Sequence, residues 1–179
     1  MEKKEDRRIT MTKRMLKDAL TQILRETDIY HVSIRELCRH ADVNRTTFYK
    51  YYGSQFDLLA DMENDMIVFL SDTIREHAAE PARIIETACE YLENHLEFGR
   101  LIINNNADPL FPQKLFSLAV LREVALKRFT GQLDPAMLEY LYNYITYGAY
   151  RIICVWLNKE QREPPEIIAQ VLIRFIELG

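Results

Sequence analysis

The chain has 179 residues and a mass of 21.2 kDa, about one domain by the usual size of roughly 100–200 residues each, although two small units sharing one core also fit. With 48% apolar and 28% charged residues it has the make-up of a soluble globular protein, and only 5 Gly and 6 Pro leave too little turn material for a β-sandwich or barrel. The formal charge of −4, from 23 basic and 27 acidic side chains, argues by itself against a nucleic-acid partner.

No apolar run reaches the roughly 18 residues that span a bilayer, and the longest, Tyr147 to Leu157, is interrupted by Arg151. The charged N-terminus has no apolar segment behind it, so neither a secretory signal nor a membrane partner is expected, and the expected location is cytoplasmic. Cys38, Cys89 and Cys154 are an odd, scattered set that suits free thiols. His31, His40, His77 and His95 are equally dispersed, so no metal site or other cofactor is expected. A glycine-rich phosphate loop and a nucleophile motif are both missing, so catalysis is not expected either. Glu90, Glu93 and Glu97 read as a solvated helix side.

Apolar residues recur at helical spacing almost throughout. Met15, Leu16, Ala19, Leu20, Ile23 and Leu24 make the first stripe, between about Thr10 and Thr27. Ser33 with Glu36 is a capping box for a second helix carrying Ile34, Leu37, Cys38 and Ala41. Asn44 caps a short third helix that stops at Gly53, and Ser54 opens a long fourth one to about Ala78. Pro81 starts another, a loop is expected over 104–109, and Pro112 begins a helix to about Thr130. Asp134-Pro135 opens a long helix to about Asn158, and Glu163-Pro-Pro165 starts the last. The fold class is all-α, with about nine helices.

Residues 33–52 have the spacing of a helix-turn-helix. Leu37, Ala41, Val43, Phe48 and Tyr51 fall where two short helices must seal, and Cys38 where they cross. With Phe48 inward, Arg45, Thr46, Tyr49 and Lys50 share the opposite face, because residues four apart are neighbours on a helix. Such a face suits a major groove: Arg forks to guanine, Thr meets a thymine methyl or a phosphate, and Tyr and Lys take phosphates.

Thr12-Lys-Arg, Ala19-Leu, the run from Val32 to Tyr52, and Phe56-Asp-Leu-Leu resemble the TetR family of bacterial transcription regulators over about residues 9–60. The resemblance implies a helix-turn-helix DNA-binding domain over 1–53 and a helical dimerisation and effector-binding domain over 54–179. By position it implies that Arg45, Thr46 and Thr47 approach base edges, that Tyr49 and Lys50 contact phosphate, and that Ser33 touches the DNA backbone. Asn44 belongs to the same recognition helix, Asn44–Tyr51, with Thr12, Lys13 and Arg14 as weaker candidates. The chain departs from the family twice: Asp42 stands where the turn usually carries Gly, and Gln55 where Lys is common.

In the second half, Tyr147-Gly148, Trp156-Leu157 and Pro164-Pro-Glu-Ile-Ile-Ala resemble the last helix pair of a TetR subgroup that includes regulators of dihydroxyacetone utilisation. The family implies a four-helix bundle with a partner chain there. Gly148, Ile152, Trp156, Ile168, Val171, Leu172 and Phe175 are the candidate seam of a homodimer; packing within the chain's own core is the other reading. Tyr91, His95, Tyr140, Tyr144 and Tyr147 are candidates for a small-molecule effector pocket, although plain core packing fits their spacing better.

The charge also divides unevenly. Residues 1–52 carry 12 basic and 8 acidic side chains, whereas 53–179 carry 11 and 19. A front of +4 and a body of −8 make a net of −4 that conceals a basic reading head. The expected function is a dimeric DNA-binding repressor of a palindromic operator, released by an effector. The alternative is a co-activator or protein-interaction module acting through its larger domain.

Overall fold

The computed structural model describes residues 2–103 and 108–178, so most of the loop expected over 104–109 falls outside the described residues. Among the described residues there are ten α-helices and no strand: α1 (Glu2–Ile23), α2 (Ile34–His40), α3 (Arg45–Phe48), α4 (Gln55–Glu76), α5 (Pro81–Asn94), α6 (Leu96–Ile103), α7 (Phe111–Phe116), α8 (Ala119–Leu126), α9 (Pro135–Leu157) and α10 (Pro165–Leu178). Among the described residues no helix is long and apolar enough to cross a membrane.

The cap residues act as their chemistry requires. Ser33 Oγ accepts from the Glu36 N–H, Asn44 Oδ1 from that of Thr46, Ser54 Oγ from that of Asp57, and Asp134 Oδ1 from those of Ala136 and Met137. Three boundaries differ from the sequence reading. The first helix begins at Glu2 rather than near Thr10, since the charged straight-chain residues ahead of Thr10 lose little rotamer freedom in a helix. The helix from Pro81 breaks at His95, whose backbone leaves helical angles while its ring Nδ1 lies 2.9 Å from the Tyr91 carbonyl. The helix expected over 112–130 breaks at Ser117, whose hydroxyl donates to the Lys114 carbonyl at 2.7 Å, and Leu118 is extended.

One buried cluster runs from Leu16 and Leu20 on α1 through Phe48, Leu58 and Cys89 to Trp156 and Leu172. Helix α4 packs on α1 at one side and on α5 and α8 at the other, while α10 lies along α5. Carboxylates expected to be solvated help to hold this arrangement. Glu93 receives a fork from Arg162 at 3.1 and 3.2 Å, and Glu97 pairs with Arg25 at 2.9 Å. All three cysteines are buried, and burial pushes the Cys89 thiol up to about 12, so it is a small apolar residue rather than a reactive thiolate.

The turn between α2 and α3 is closed by the Val43 N–H, which donates to the Cys38 carbonyl at 3.0 Å. Closing it puts Asp42 at φ 50°, the left-handed region where Gly is the easiest occupant. Asp enters this region at lower cost than most residues, and a β-branched side chain does so worst. Asp42→Val should therefore lower stability by about 1–2 kcal/mol. Asp42→Gly should stay within about 0.5 kcal/mol of the parent, because Gly relieves strain but adds unfolded-state entropy. Urea denaturation of the two variants checks this; equal stabilities would mean that the turn carries no strain.

Candidate nucleic-acid interface

The recognition element is shorter than expected. Helix α3 has one turn, and the chain then tightens, with the Lys50 N–H on the Thr47 carbonyl and the Tyr51 and Tyr52 N–H groups on that of Phe48. Phe48 is fully buried and Tyr52 nearly so, which fixes the element against α1, α2 and α4. Arg45, Thr46, Tyr49 and Lys50 are exposed on its outer side, as the periodicity required, while Thr47 is half-buried at the flank. Tyr49 stands edge-to-face against Phe48, with centroids 5.4 Å apart, so its ring is directed while its hydroxyl reaches outward.

Among the described residues, neither Arg45 nor Lys50 is in an ion pair. Their charges are unspent and available to phosphate or guanine. Ser33 and Asn44, the caps of α2 and α3, are exposed as well. Each uses its side-chain oxygen as a helix cap, which leaves the hydroxyl hydrogen and the amide NH₂ free to donate.

The weaker candidates on α1 are otherwise engaged. Lys13 lies 3.6 Å from Asp61 and over the Tyr52 ring, Arg14 is 3.8 Å from Asp18, and the Thr12 hydroxyl donates to the Arg8 carbonyl. Gln55 turns inward, its Nε2 donating to the Ile29 carbonyl at 3.4 Å.

At the far end of the molecule the candidate seam divides. Trp156, Ile168 and Leu172 are buried inside the chain's own core, with the Trp156 indole N–H on the Glu163 carbonyl at 2.8 Å. These three are monomer core and not free surface. Ile152 and Val171 are half-buried, while Gly148 and Phe175 are exposed, and a Cβ added to Gly148 would meet nothing within 4 Å.

The candidate pocket divides as well. Tyr140 and Tyr144 are 77% and 71% exposed, so in the single chain they line no enclosed cavity. Tyr147 is also exposed, against Phe116. Tyr91 stacks between Phe69 and His95, with centroids at 4.0 and 4.3 Å, and His95 sits at the surface.

Two clusters escaped the sequence reading: a carboxylate on α4 shared by Tyr52 and two lysines, and a buried Glu63 paired with Lys114 at 2.7 Å. The first had a signal, the four-residue spacing of Lys13 and Lys17 on one helix and of Asp61 and Asp65 on another, which matches charge to charge along two facing helices; Glu63 and Lys114, 51 residues apart, had none.

A family model described as a transcriptional regulator C-terminal region, of the TetR type, matches residues 79–178. The chain is 24% identical over 163 residues to an uncharacterized HTH-type transcriptional regulator, YxbF, of Bacillus subtilis. That match takes in 87% of this chain, which spans only 42% of the length of that curated relative. Among solved structures, a TetR transcriptional regulator from Streptococcus agalactiae superposes with a TM-score of 0.70 and 19% identity, over 98% of this chain and 99% of that one. The dihydroxyacetone kinase operon activator DhaS superposes with a TM-score of 0.65 and 14% identity, over 93% and 94%. At such identities the superpositions speak for the fold, and the family model covers more than half of the sequence. The chain belongs to the TetR family of transcriptional regulators.

Proposed function

We propose that the chain is a dimeric, sequence-specific DNA-binding repressor, with residues 1–53 as the reading head and 54–179 as the dimerising body. The observation that carries this reading is the exposed set Arg45, Thr46, Tyr49 and Lys50, whose two cations form no ion pair among the described residues, on an element anchored by fully buried Phe48. Arg45 and Thr46 reach base edges, with Thr47 at the flank; Tyr49, Lys50, Ser33 and Asn44 hold phosphates. The basic head turns towards DNA and the acidic body away from it.

One head reads one half-site, so a palindrome calls for two-fold symmetry. The surface that supports a partner copy is the exposed stripe Tyr140, Tyr144, Tyr147, Gly148 and Val155 on α9, beside Ile167, Val171 and Phe175 on α10. Tyr140, Tyr144 and Tyr147, candidates for a pocket by sequence, are better used there, and Tyr91 and His95 remain as effector candidates on the body. Tyr144→Glu combined with Gly148→Glu should give a folded monomer by sedimentation, since both sites are exposed and a charge on each cannot be covered by its twin. An unchanged dimer would place the interface elsewhere.

Gel retardation against palindromic fragments, those upstream of its own gene included, tests the reading. A protein neutralising about 6–10 phosphates loses roughly 10³–10⁵ in affinity between about 50 and 200 mM salt. A co-activator docking through apolar helices would show a shallow slope instead. Failure to retard any fragment at low salt would sink the proposal.

A further inference from the structure

Tyr52, at the end of the recognition element, and α1 meet α4 at a shared oxygen. Asp61, in the second turn of α4, uses Oδ2 to accept the Tyr52 hydroxyl at 2.7 Å. The same oxygen lies 2.9 Å from Lys17 Nζ and 3.6 Å from Lys13 Nζ. Lys17 also holds Asp65, one helical turn further along α4. Tyr52 follows directly on the recognition element, its ring 5.8 Å from that of Phe48. Donors from the end of that element and from α1 thus converge on one side chain of α4.

Apolar packing, of Phe48 above all, holds the element in place, and a directional bond adds a fixed point that the non-directional hydrophobic force does not itself supply. Charge-assisted hydrogen bonds are directional and roughly twice as strong as neutral ones. A nearly buried Tyr needs a partner for its hydroxyl, and here that partner is the helix on which the body is built. Despite partial burial, Tyr52 and Lys17 hold the Asp61 carboxyl below its usual range, so it is ionised wherever DNA is bound.

In a dimer, the angle of each head on its α4 sets the distance between the two recognition elements, and with it the operator spacing that both can read. We propose that Asp61 is a positioning residue that, through Tyr52 and Lys17, selects the half-site spacing. It touches no DNA itself. The inference rests on the DNA-reading function proposed above.

The test is a set of palindromes built on the operator selected by the parent protein, with spacers altered by one and two base pairs in each direction. Affinities are measured by fluorescence anisotropy at fixed salt for the parent, Tyr52→Phe, Asp61→Asn and Asp61→Ala. The parent should favour one spacer by about tenfold or more, as expected of two rigidly set heads. Tyr52→Phe and Asp61→Ala should level the spacers to within about threefold while keeping the base preference inside each half-site, which the recognition side chains set. A merely structural role would lower all affinities together and leave the spacer ratio intact, and that result would overturn the proposal. If Asp61→Ala fails to fold, Tyr52→Phe, which removes one oxygen from a buried ring, still decides. A parent without spacer preference overturns the positioning role alone. A parent that binds no palindrome overturns the DNA-reading function as well.

Discussion

Arg45→Ala should lower operator affinity by about 1–3 kcal/mol at each half-site and flatten the preference for one base pair there, a loss that a dimer incurs twice. The size follows from what the side chain has to spend. Arg45 is exposed at the first position of α3, with no ion pair among the described residues to compete for its guanidinium. A fork on guanine makes two parallel hydrogen bonds that another base cannot reproduce. Lys50 is also exposed and in no ion pair among the described residues, but an ammonium on a flexible stem meets phosphate as a point charge. Lys50→Ala should therefore weaken all sequences alike and reduce the salt slope by about one phosphate contact per head. Anisotropy titrations of both variants, against the operator and single-base variants of it at several salt concentrations, separate the two roles. If both variants bind every sequence as the parent does, the contact face lies elsewhere.

The helix-turn-helix geometry was legible because its determinants are local. Caps such as Ser33 and Asn44 act within three residues, and the apolar spacing of Leu37, Cys38 and Phe48 fixes which side is sealed. Even the departure at Asp42 could be foreseen, since a short polar side chain tolerates the left-handed backbone that this turn imposes.

The far end was less legible, for a physical reason. Helix α9 is apolar on several sides, and helical periodicity does not say which stripe meets the chain's own core and which is left for a partner. Trp156 went inward, the second of its two readings, and Tyr144 outward, against both the pocket and the core reading. Net charge is uninformative in a similar way, because a sum over the chain discards position. Pairings across the fold, such as Tyr52 with Asp61, depend on which helices become neighbours, and spacing along one helix carries only half of that information.

Lys114→Met should cost about 3 kcal/mol of stability at pH 8 and distinctly less at pH 5, because it strands a buried charge. Glu63 on α4 is only 3% exposed; its Oε2 accepts from Lys114 Nζ at 2.7 Å, and its Oε1 is buried without a hydrogen-bond partner among the described residues. Lys114 reaches Asp108 as well, so one ammonium serves two carboxyl groups. Burial holds the Glu63 carboxyl above its usual range, against the pull of Lys114. The folded protein therefore binds that proton more tightly than the unfolded chain, and stability falls as pH rises from the ordinary carboxylate range through Glu63's raised value. Without Lys114 that value climbs further, since desolvation is no longer opposed by a cation and Asp108 adds repulsion. The loss then extends to higher pH. At pH 5 a protonated Glu63 can donate a hydrogen bond instead of bearing a charge, which limits the damage. Urea denaturation at the two pH values measures the difference; an equal loss at both would assign Lys114 a packing role through its stem. A companion variant, Glu63→Leu with Lys114→Met, should recover most of the stability at pH 8. Removing both charges leaves neither of that pair to be desolvated, so that the remaining loss is Asp108's cation, and a buried pair contributes less to stability than the cost of breaking it suggests.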